Sequence, residues 1–129
     1  MRLYVEVLLV VSFCSNALLV MGEIGTARSY DPPYLSTKCP GYDNGNLPVG
    51  GMFAAAGNLV WDNGAACGRK YQVTCLSGPN RPCKEGIITV EVVDRCRNGA
   101  CYATLVLAKN AYNAISKNLK AKINIEYAQ

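Results

Sequence analysis

Cysteine usage constrains this chain more than any other feature. The sequence has seven cysteines in 129 residues. One of them, Cys14, lies in an apolar leader, and the other six are Cys39, Cys67, Cys75, Cys83, Cys96 and Cys101. Six cysteines in a small exported domain are typical of a disulfide framework rather than of a metal site or a redox centre. We therefore predict a small fold that is stabilised by three disulfides.

The leader has the parts of a secretory signal peptide. A basic residue, Arg2, precedes an apolar stretch that runs from Val7 to Gly22 and has small residues near its end. Ser12 and Asn16 interrupt the stretch, which is too short to predict a membrane span. The sequence thus predicts a signal peptide over residues 1–22 and a single domain over residues 23–129. It also predicts a secreted, extracellular protein without a membrane span.

Charge and composition exclude several classes of function. The formal net charge is +4, and the charges are scattered, which fits ordinary solubility and leaves anionic wall polysaccharide or lipid headgroups open as partners. The chain has no histidine, which excludes Ser-His-Asp and Cys-His catalysis and the common zinc sites. Gly50 and Gly51 lack the Lys-Ser/Thr ending of a phosphate-binding loop. We predict a monomer with no metal, no cofactor and no nucleic-acid partner.

Hydrophobic periodicity predicts a domain that is mainly β. Apolar residues alternate with polar ones in two stretches, at Tyr71, Val73 and Cys75 and at Ile123, Ile125 and Tyr127. Residues 87–94 are rich in β-branched side chains and form the strongest predicted strand. Four apolar residues at helical spacing predict one short helix: Ala108, Ala111, Tyr112 and Ile115. The proline-rich residues 31–48 predict a long surface loop that is tied down at Cys39.

Four stretches of the sequence carry a family resemblance: GTARSYDPPY at 25–34, WDNGAACGRKY at 61–71, VVDRC at 92–96 and IEY at 125–127. Together they resemble the plant natriuretic peptides, also called endoglucanase-45-like domain proteins. These proteins are small secreted relatives of the first domain of expansins and of barwin. The resemblance implies a six-stranded double-psi β-barrel. It also implies three disulfide pairs, Cys39–Cys67, Cys75–Cys83 and Cys96–Cys101.

Asp94 is the candidate carboxylate of an enzyme-like groove. A typical glycoside hydrolase needs two carboxylates across the scissile bond. Asp94 ends the strongest predicted strand on the same parity as Val90 and Val92, so its carboxylate is expected where the core face meets the barrel mouth. It is either a groove carboxylate or a strand-end residue that accepts hydrogen bonds from the backbone of the following turn.

The resemblance also shows where the rest of an active site would be altered. Active expansin-like and family-45 endoglucanase domains carry a second Asp before the helix, at the position of Val106. Expansins have Thr at the position of Arg28, whereas Tyr30 is kept and Asp31 follows it directly. We therefore predict no hydrolysis. Tyr30, Asp31 and Asp94 are interpreted as vestigial groove residues.

The predicted binding surface lies in the middle of the chain. In the natriuretic-peptide family, the part that corresponds to residues 52–83 is associated with hormone-like activity. The predicted binding residues are Trp61, Asn63, Arg69 and Lys70, together with Tyr30. The alternative is that the same residues simply build a barrel strand and its hairpin.

The resemblance implies a non-catalytic apoplastic protein that signals in water and solute homeostasis through a cell-surface receptor. Two alternatives stay open. The first is an expansin-like or endoglucanase-like protein that binds or loosens cell-wall polysaccharide. The second is a barwin-like defence protein that binds chitin. The predicted partner is therefore a cell-surface receptor or a cell-wall polysaccharide.

Overall fold

A computed structural model describes residues 22–97 and 99–129. The predicted signal peptide lies outside the described residues except for Gly22. Six strands are present: β1 (Glu23–Tyr30), β2 (Phe53–Ala56), β3 (Lys70–Ser77), β4 (Ile87–Arg95), β5 (Leu105–Ala108) and β6 (Ile123–Ala128). Two α-helices accompany them, α1 (Asn58–Trp61) and α2 (Lys109–Ile115), with short 3-10 turns at Val49–Gly51 and Asp62–Gly64. Within the described residues, neither helix has the length and apolar character needed to cross a membrane.

The six strands form a closed barrel in the order β1-β5-β2-β4-β3-β6. Two neighbouring pairs are parallel, β1 with β5 and β2 with β4, and the other four pairs are antiparallel. Closure pairs every strand on both sides, so the barrel has no open sheet edge. The prediction of a six-stranded barrel is confirmed.

The barrel interior is filled by side chains from the alternating strands. Tyr71, Val73 and Cys75 of β3 are buried, while the residues between them are more exposed, as the sequence pattern predicts. The strands β2 and β5 differ, because all four residues of each are buried. Side chains of β2 alternate between two clusters: Ala54 and Ala56 belong to the barrel interior, and Ala55 belongs to a cluster on the outside.

The helix at the carboxyl-terminal side packs as its spacing predicts. Ala111, Tyr112 and Ile115 of α2 are buried in the barrel core. The hydroxyl of Tyr112 donates a hydrogen bond to the backbone carbonyl of Ala121, which ties the helix to the start of β6. Because Ala108 at the N-cap position offers no side-chain acceptor, the first turn has no side-chain cap.

The prediction of a single helix is wrong, because α1 forms a second short helix. It begins after Gly57, whose backbone lies so close to the Ala103 carbonyl that an added Cβ would stand 1.7 Å from that oxygen. The Trp61 N–H donates to the Gly57 carbonyl at 3.0 Å, which closes a single helical turn. A helix of four residues is too short to produce a hydrophobic period in the sequence.

The structure has three disulfides, Cys39–Cys67, Cys75–Cys83 and Cys96–Cys101. The first holds the long loop of residues 31–48, which contains neither strand nor helix, as predicted. The loop covers the outside of β2 and β4. There, the Tyr34 ring meets the Phe53 ring edge to face, with 4.9 Å between their centroids, and the Tyr42 hydroxyl donates to Glu91 at 2.5 Å.

Candidate functional site

Two depressions in the barrel surface are candidate sites, and Arg95 contributes to both. The larger one, here called the wide groove, has a volume of about 1140 Å³ and lies beside α1 and the ends of β1, β3 and β6. The smaller one, here called the narrow groove, has a volume of about 210 Å³ and lies beside Tyr30.

The narrow groove contains the positions of the altered enzyme-like site. Tyr30, Asp31 and Val106 all line it. Val106 is almost fully buried and lies between Arg28 of β1 and Ala55 of β2 in the strand register. An apolar valine in the floor has no titratable group, so this position cannot donate or accept a proton.

Asp94 lies on a different face from the one predicted. The pairing of β2 with β4 shifts so that Ala54 is opposite Val92 but Ala55 is opposite Asp94, which skips Val93. This irregularity reverses the alternation of side chains along β4. Asp94 therefore shares the outer face with Ala55, rather than the barrel interior with Val92. The sequence could not reveal that Asp94 lies on the other face, because the hydrophobic pattern along β4 shows no break at the β-bulge.

The Asp94 carboxylate is fully buried and is held by donors of the protein itself. Its Oδ1 accepts the backbone N–H of Lys38 at 2.7 Å and that of Arg95 at 2.8 Å. Its Oδ2 accepts a hydrogen bond from the Arg97 guanidinium at 2.7 Å, and Arg97 also bonds the Ser36 carbonyl at 2.7 Å. The hydrogen bonds of both carboxylate oxygens thus hold the long loop and Arg97 at the end of β4.

Tyr30 and Asp31 both lie near Asp94, but the Tyr30 hydroxyl is buried whereas Asp31 is exposed. The Tyr30 hydroxyl is buried without a hydrogen-bond partner among the described residues. Burial, followed by the negative charge of Asp94, raises the pKa of Tyr30 well above its ordinary value, so this phenol stays neutral at physiological pH. Asp31 is exposed at the rim. The structure brings the three residues to one place, but not as two carboxylates facing each other across an open cleft.

The wide groove brings together three of the predicted binding residues, Trp61, Asn63 and Arg69. Trp61 is half-buried, and the Arg95 guanidinium lies 5.6 Å from the centre of its ring. Two predicted residues lie elsewhere. Lys70 is outside this lining and approaches Glu91 at 4.0 Å, and Tyr30 belongs to the narrow groove.

Arg95 is the groove residue that sequence reasoning missed. It follows Asp94 directly and resembles any exposed charge at the end of a strand. Arg95 is paired with Ala56 in the strand register and contacts the Trp61 ring, so it lies between the two grooves. The only signal in the sequence was its presence in the stretch VVDRC.

The charges in the wide groove balance one another. Arg69 is paired with Asp62 at 2.8 Å. Arg95 and Glu23 contribute one further charge of each sign to the lining. A balanced groove with aromatic and amide groups suits a neutral polar ligand better than a strongly charged one.

Comparisons with known proteins agree with this architecture. A family model described as lytic transglycolase matches residues 54–127, which extend from within β2 to within β6. An EG45-like domain containing protein from Citrus jambhiri is 36% identical over 129 residues, covering 97% of this chain and 95% of the relative. The chain belongs to the EG45-like domain proteins. Its barrel is a double-psi β-barrel, as the resemblance implied.

Other relatives place the EG45-like chain beside the expansins. EG45-like domain containing protein 2 from Arabidopsis thaliana is 36% identical over 106 residues, which are 80% of this chain and 77% of the relative. Expansin-B4 from Arabidopsis thaliana is 31% identical over 115 residues, 81% of this chain but 44% of the expansin. The EG45-like chain is therefore similar to less than half of expansin-B4.

The EG45-like domain is expected to lose stability in alkali as two of its tyrosines ionise. The pKa of Tyr42 is raised to about 12, mainly by its hydrogen bond to Glu91 and to a smaller extent by burial. The pKa of Tyr127 is also raised to about 12, mainly by burial and to a smaller extent by its hydrogen bond to Glu23. In the unfolded chain a tyrosine titrates near pH 10. The two neutral phenols therefore contribute their full stabilisation of the folded state below about pH 10. This contribution is lost as the pH rises toward about 12, because the tyrosines of the unfolded state release their protons first.

Urea unfolding followed by circular dichroism at several pH values from 8 to 12 measures this loss. The variant Tyr127→Phe should show a shallower decline above pH 10 than the natural chain. An identical decline in both proteins would show that Tyr127 ionisation does not contribute.

Proposed function

We propose that this EG45-like protein is an extracellular, non-catalytic protein that binds neutral cell-wall polysaccharide in the wide groove. The observation that carries the proposal is the arrangement of Trp61, Arg95 and Asn63 along an open groove of about 1140 Å³. Similarity to expansin-B4 supports an association with the wall. The predicted signal peptide supports secretion into the apoplast.

The groove offers the groups that recognise a sugar chain. An aromatic ring stacks against the C–H face of a pyranose, and the Trp61 ring is half-buried at the groove wall. Asn58, Asn63 and Gln72 supply amides that can both donate to and accept from hydroxyl groups. Because the charges of the lining balance, neutral glucan or chitin fits better than a polyanion.

The narrow groove supports binding without hydrolysis. A hydrolase of the usual type requires an acid and a second carboxylate that contact the sugar. Asp94 is fully buried and engaged with three donors, and Val106 occupies the other position. Asp31 is exposed at the rim, and the described residues that line the narrow groove with it include no second carboxylate.

Retention on insoluble polymers tests this proposal. The full chain, produced through a secretory host with its disulfides formed, is mixed with cellulose, xyloglucan-coated cellulose and chitin, and released reducing ends are measured in the same tubes. We expect retention without sugar release, and a roughly tenfold weaker affinity for Trp61→Ala, which corresponds to about 1.4 kcal/mol. The matched control is Ile87→Ala, which shortens an exposed apolar side chain outside the wide groove.

The outcomes separate the alternatives. Sugar release would overturn the non-catalytic assignment and direct attention to Asp31 and Asp94. Retention on chitin alone would favour a defence role of the barwin type. Equal retention of Trp61→Ala and the natural chain would contradict the assignment of the ligand to the wide groove.

A second candidate function is signalling through a cell-surface receptor in water and solute homeostasis. The observation that favours it is Leu59 of α1, which is 81% exposed beside the wide groove. An exposed leucine on a short helix is of little use to a sugar but can serve as an anchor in a protein interface. A saturable response of intact cells that is lost in Leu59→Ser, while polysaccharide retention is kept, would support this function. A response unchanged in Leu59→Ser would contradict the assignment of the receptor contact to α1.

A further inference from the structure

We propose that the outer face of the barrel carries a second binding site, centred on Tyr102, for polysaccharide that contains uronic acids. Tyr102, Arg28 and Lys122 form this site, here called the Tyr102 patch. It is separate from the wide groove and goes beyond the binding of neutral polysaccharide proposed there. The ligand class is identified by its chemistry, a sugar ring that bears a carboxylate.

An exposed aromatic ring is the centre of the patch. Tyr102 is 66% exposed, although it is a large side chain with substantial apolar surface. The Arg28 guanidinium lies 5.5 Å from the centre of its ring, and the Lys122 ammonium lies 5.8 Å from it. One cation from β1 and one from the residue just before β6 thus converge on one solvent-facing ring.

The barrel register explains why these cations meet. Arg28 of β1 is the partner of Val106 in β5. Lys122 directly precedes Ile123, which is paired with Ala27, so Lys122 lies next to Arg28 on the neighbouring strand. Two like charges in adjacent positions repel each other, which makes the site costly unless an anion is present.

The cations of the patch have no compensating partner among the described residues. The three ion pairs formed within residues 22–97 and 99–129 involve Arg69, Lys70 and Arg97, and neither Arg28 nor Lys122. The Arg28 Nε is in addition buried without a hydrogen-bond acceptor.

A uronic acid residue combines the two features that the patch requires. The C–H face of its ring can stack on Tyr102. Its planar carboxylate can accept hydrogen bonds from the forked guanidinium of Arg28 and from the Lys122 ammonium. A neutral glucan would leave both cations unpaired, and a small inorganic anion would leave the aromatic ring unused.

Affinity electrophoresis with two matched polymers tests the proposal. The full chain, produced through a secretory host, migrates through gels that contain either polygalacturonate or the same polymer fully methyl-esterified. We expect retardation by polygalacturonate at low salt, its loss as salt screens the charges, and no retardation by the ester. Lys122→Gln and Tyr102→Ala, both at exposed positions, should each weaken the affinity at least fivefold.

Matched variants keep the test specific. Lys70→Gln removes one exposed positive charge at the start of β3, which lies beside the far end of β6 from Lys122, and should leave the affinity unchanged. Trp61→Ala should also leave it unchanged, so that failure of the wide-groove proposal can be told apart from failure of this one. Arg28→Gln is interpreted only if its unfolding transition matches that of the natural chain, because Arg28 is partly buried.

Three results would overturn the inference. The first is migration unaffected by polygalacturonate. The second is an equal loss of affinity in Lys122→Gln and Lys70→Gln, which would show attraction by net charge alone. The third is retardation by dextran sulfate but not by polygalacturonate, which would assign the patch to sulfate or phosphate groups instead of carboxylates.

Discussion

Replacing Asp94 with asparagine is expected to lower the free energy of unfolding by about 2 kcal/mol, and replacing it with alanine by about 4 kcal/mol. The asparagine can still accept from the Lys38 and Arg95 amides, but it presents an N–H group to the Arg97 guanidinium and removes the charge that Arg97 faces. Alanine leaves all three donors without their acceptor. The loss for asparagine is the smaller one because the Arg97 side chain is 42% exposed and can turn to solvent.

Denaturant unfolding of the natural chain and both variants, with disulfides intact, measures these losses. The matched control is Asp31→Asn, which removes the same charge from an exposed neighbour and should change stability by less than about 0.5 kcal/mol. Similar stability for Asp94→Asn and Asp31→Asn would contradict a structural role for Asp94. The distinction matters for function. If Asp94→Asn alone loses wall binding, the cause would be a displaced loop and not the loss of a group that contacts the ligand.

Three strands could be predicted from the sequence because each one has a distinct pattern. In β3 and β6 one side faces the core and the other faces solvent, so apolar and polar residues alternate. The strand β4 is rich in β-branched residues. By contrast, β2 and β5 have four residues each and are buried on both sides, so they carry no alternation. The sequence FAAA of β2 even favours a helix in isolation, and only the pairing with β4 and β5 makes it a strand.

The candidate site could be predicted in part, and the failures have a common physical cause. Trp61, Asn63 and Arg69 are close in the sequence, and the turn that follows α1 keeps them close in the structure. The face of Asp94 depends instead on a bulge between β2 and β4. The meeting of Arg28 with Lys122 depends on the register of β1 with β6. Sequence patterns report contacts along one element, whereas these contacts are set by pairing between distant strands.

Removing the Cys39–Cys67 disulfide is expected to destabilise the domain more than removing either of the others. In the chain-entropy treatment, the loss depends on the loop that each bond closes. The sequence separations of 28, 8 and 5 residues correspond to about 3.5, 2.5 and 2 kcal/mol for Cys39–Cys67, Cys75–Cys83 and Cys96–Cys101. Denaturant unfolding of the three paired Cys→Ala variants measures the order. A larger loss from the Cys75–Cys83 pair would show that loop closure does not dominate.

The same bond should also be coupled to Asp94. Cys39 follows Lys38, whose amide is a donor to the buried carboxylate, so the disulfide holds that donor in place. Once Cys39 and Cys67 are replaced, the loop can move away, and the change of Asp94 to alanine, which removes the acceptor of the Lys38 amide, should cost about 1 kcal/mol less than it does in the natural chain. Strict additivity of the two losses would show that the loop keeps its position without the disulfide. The coupling would show that the buried Asp94 carboxylate holds the loop in place, which is a structural role that requires no substrate.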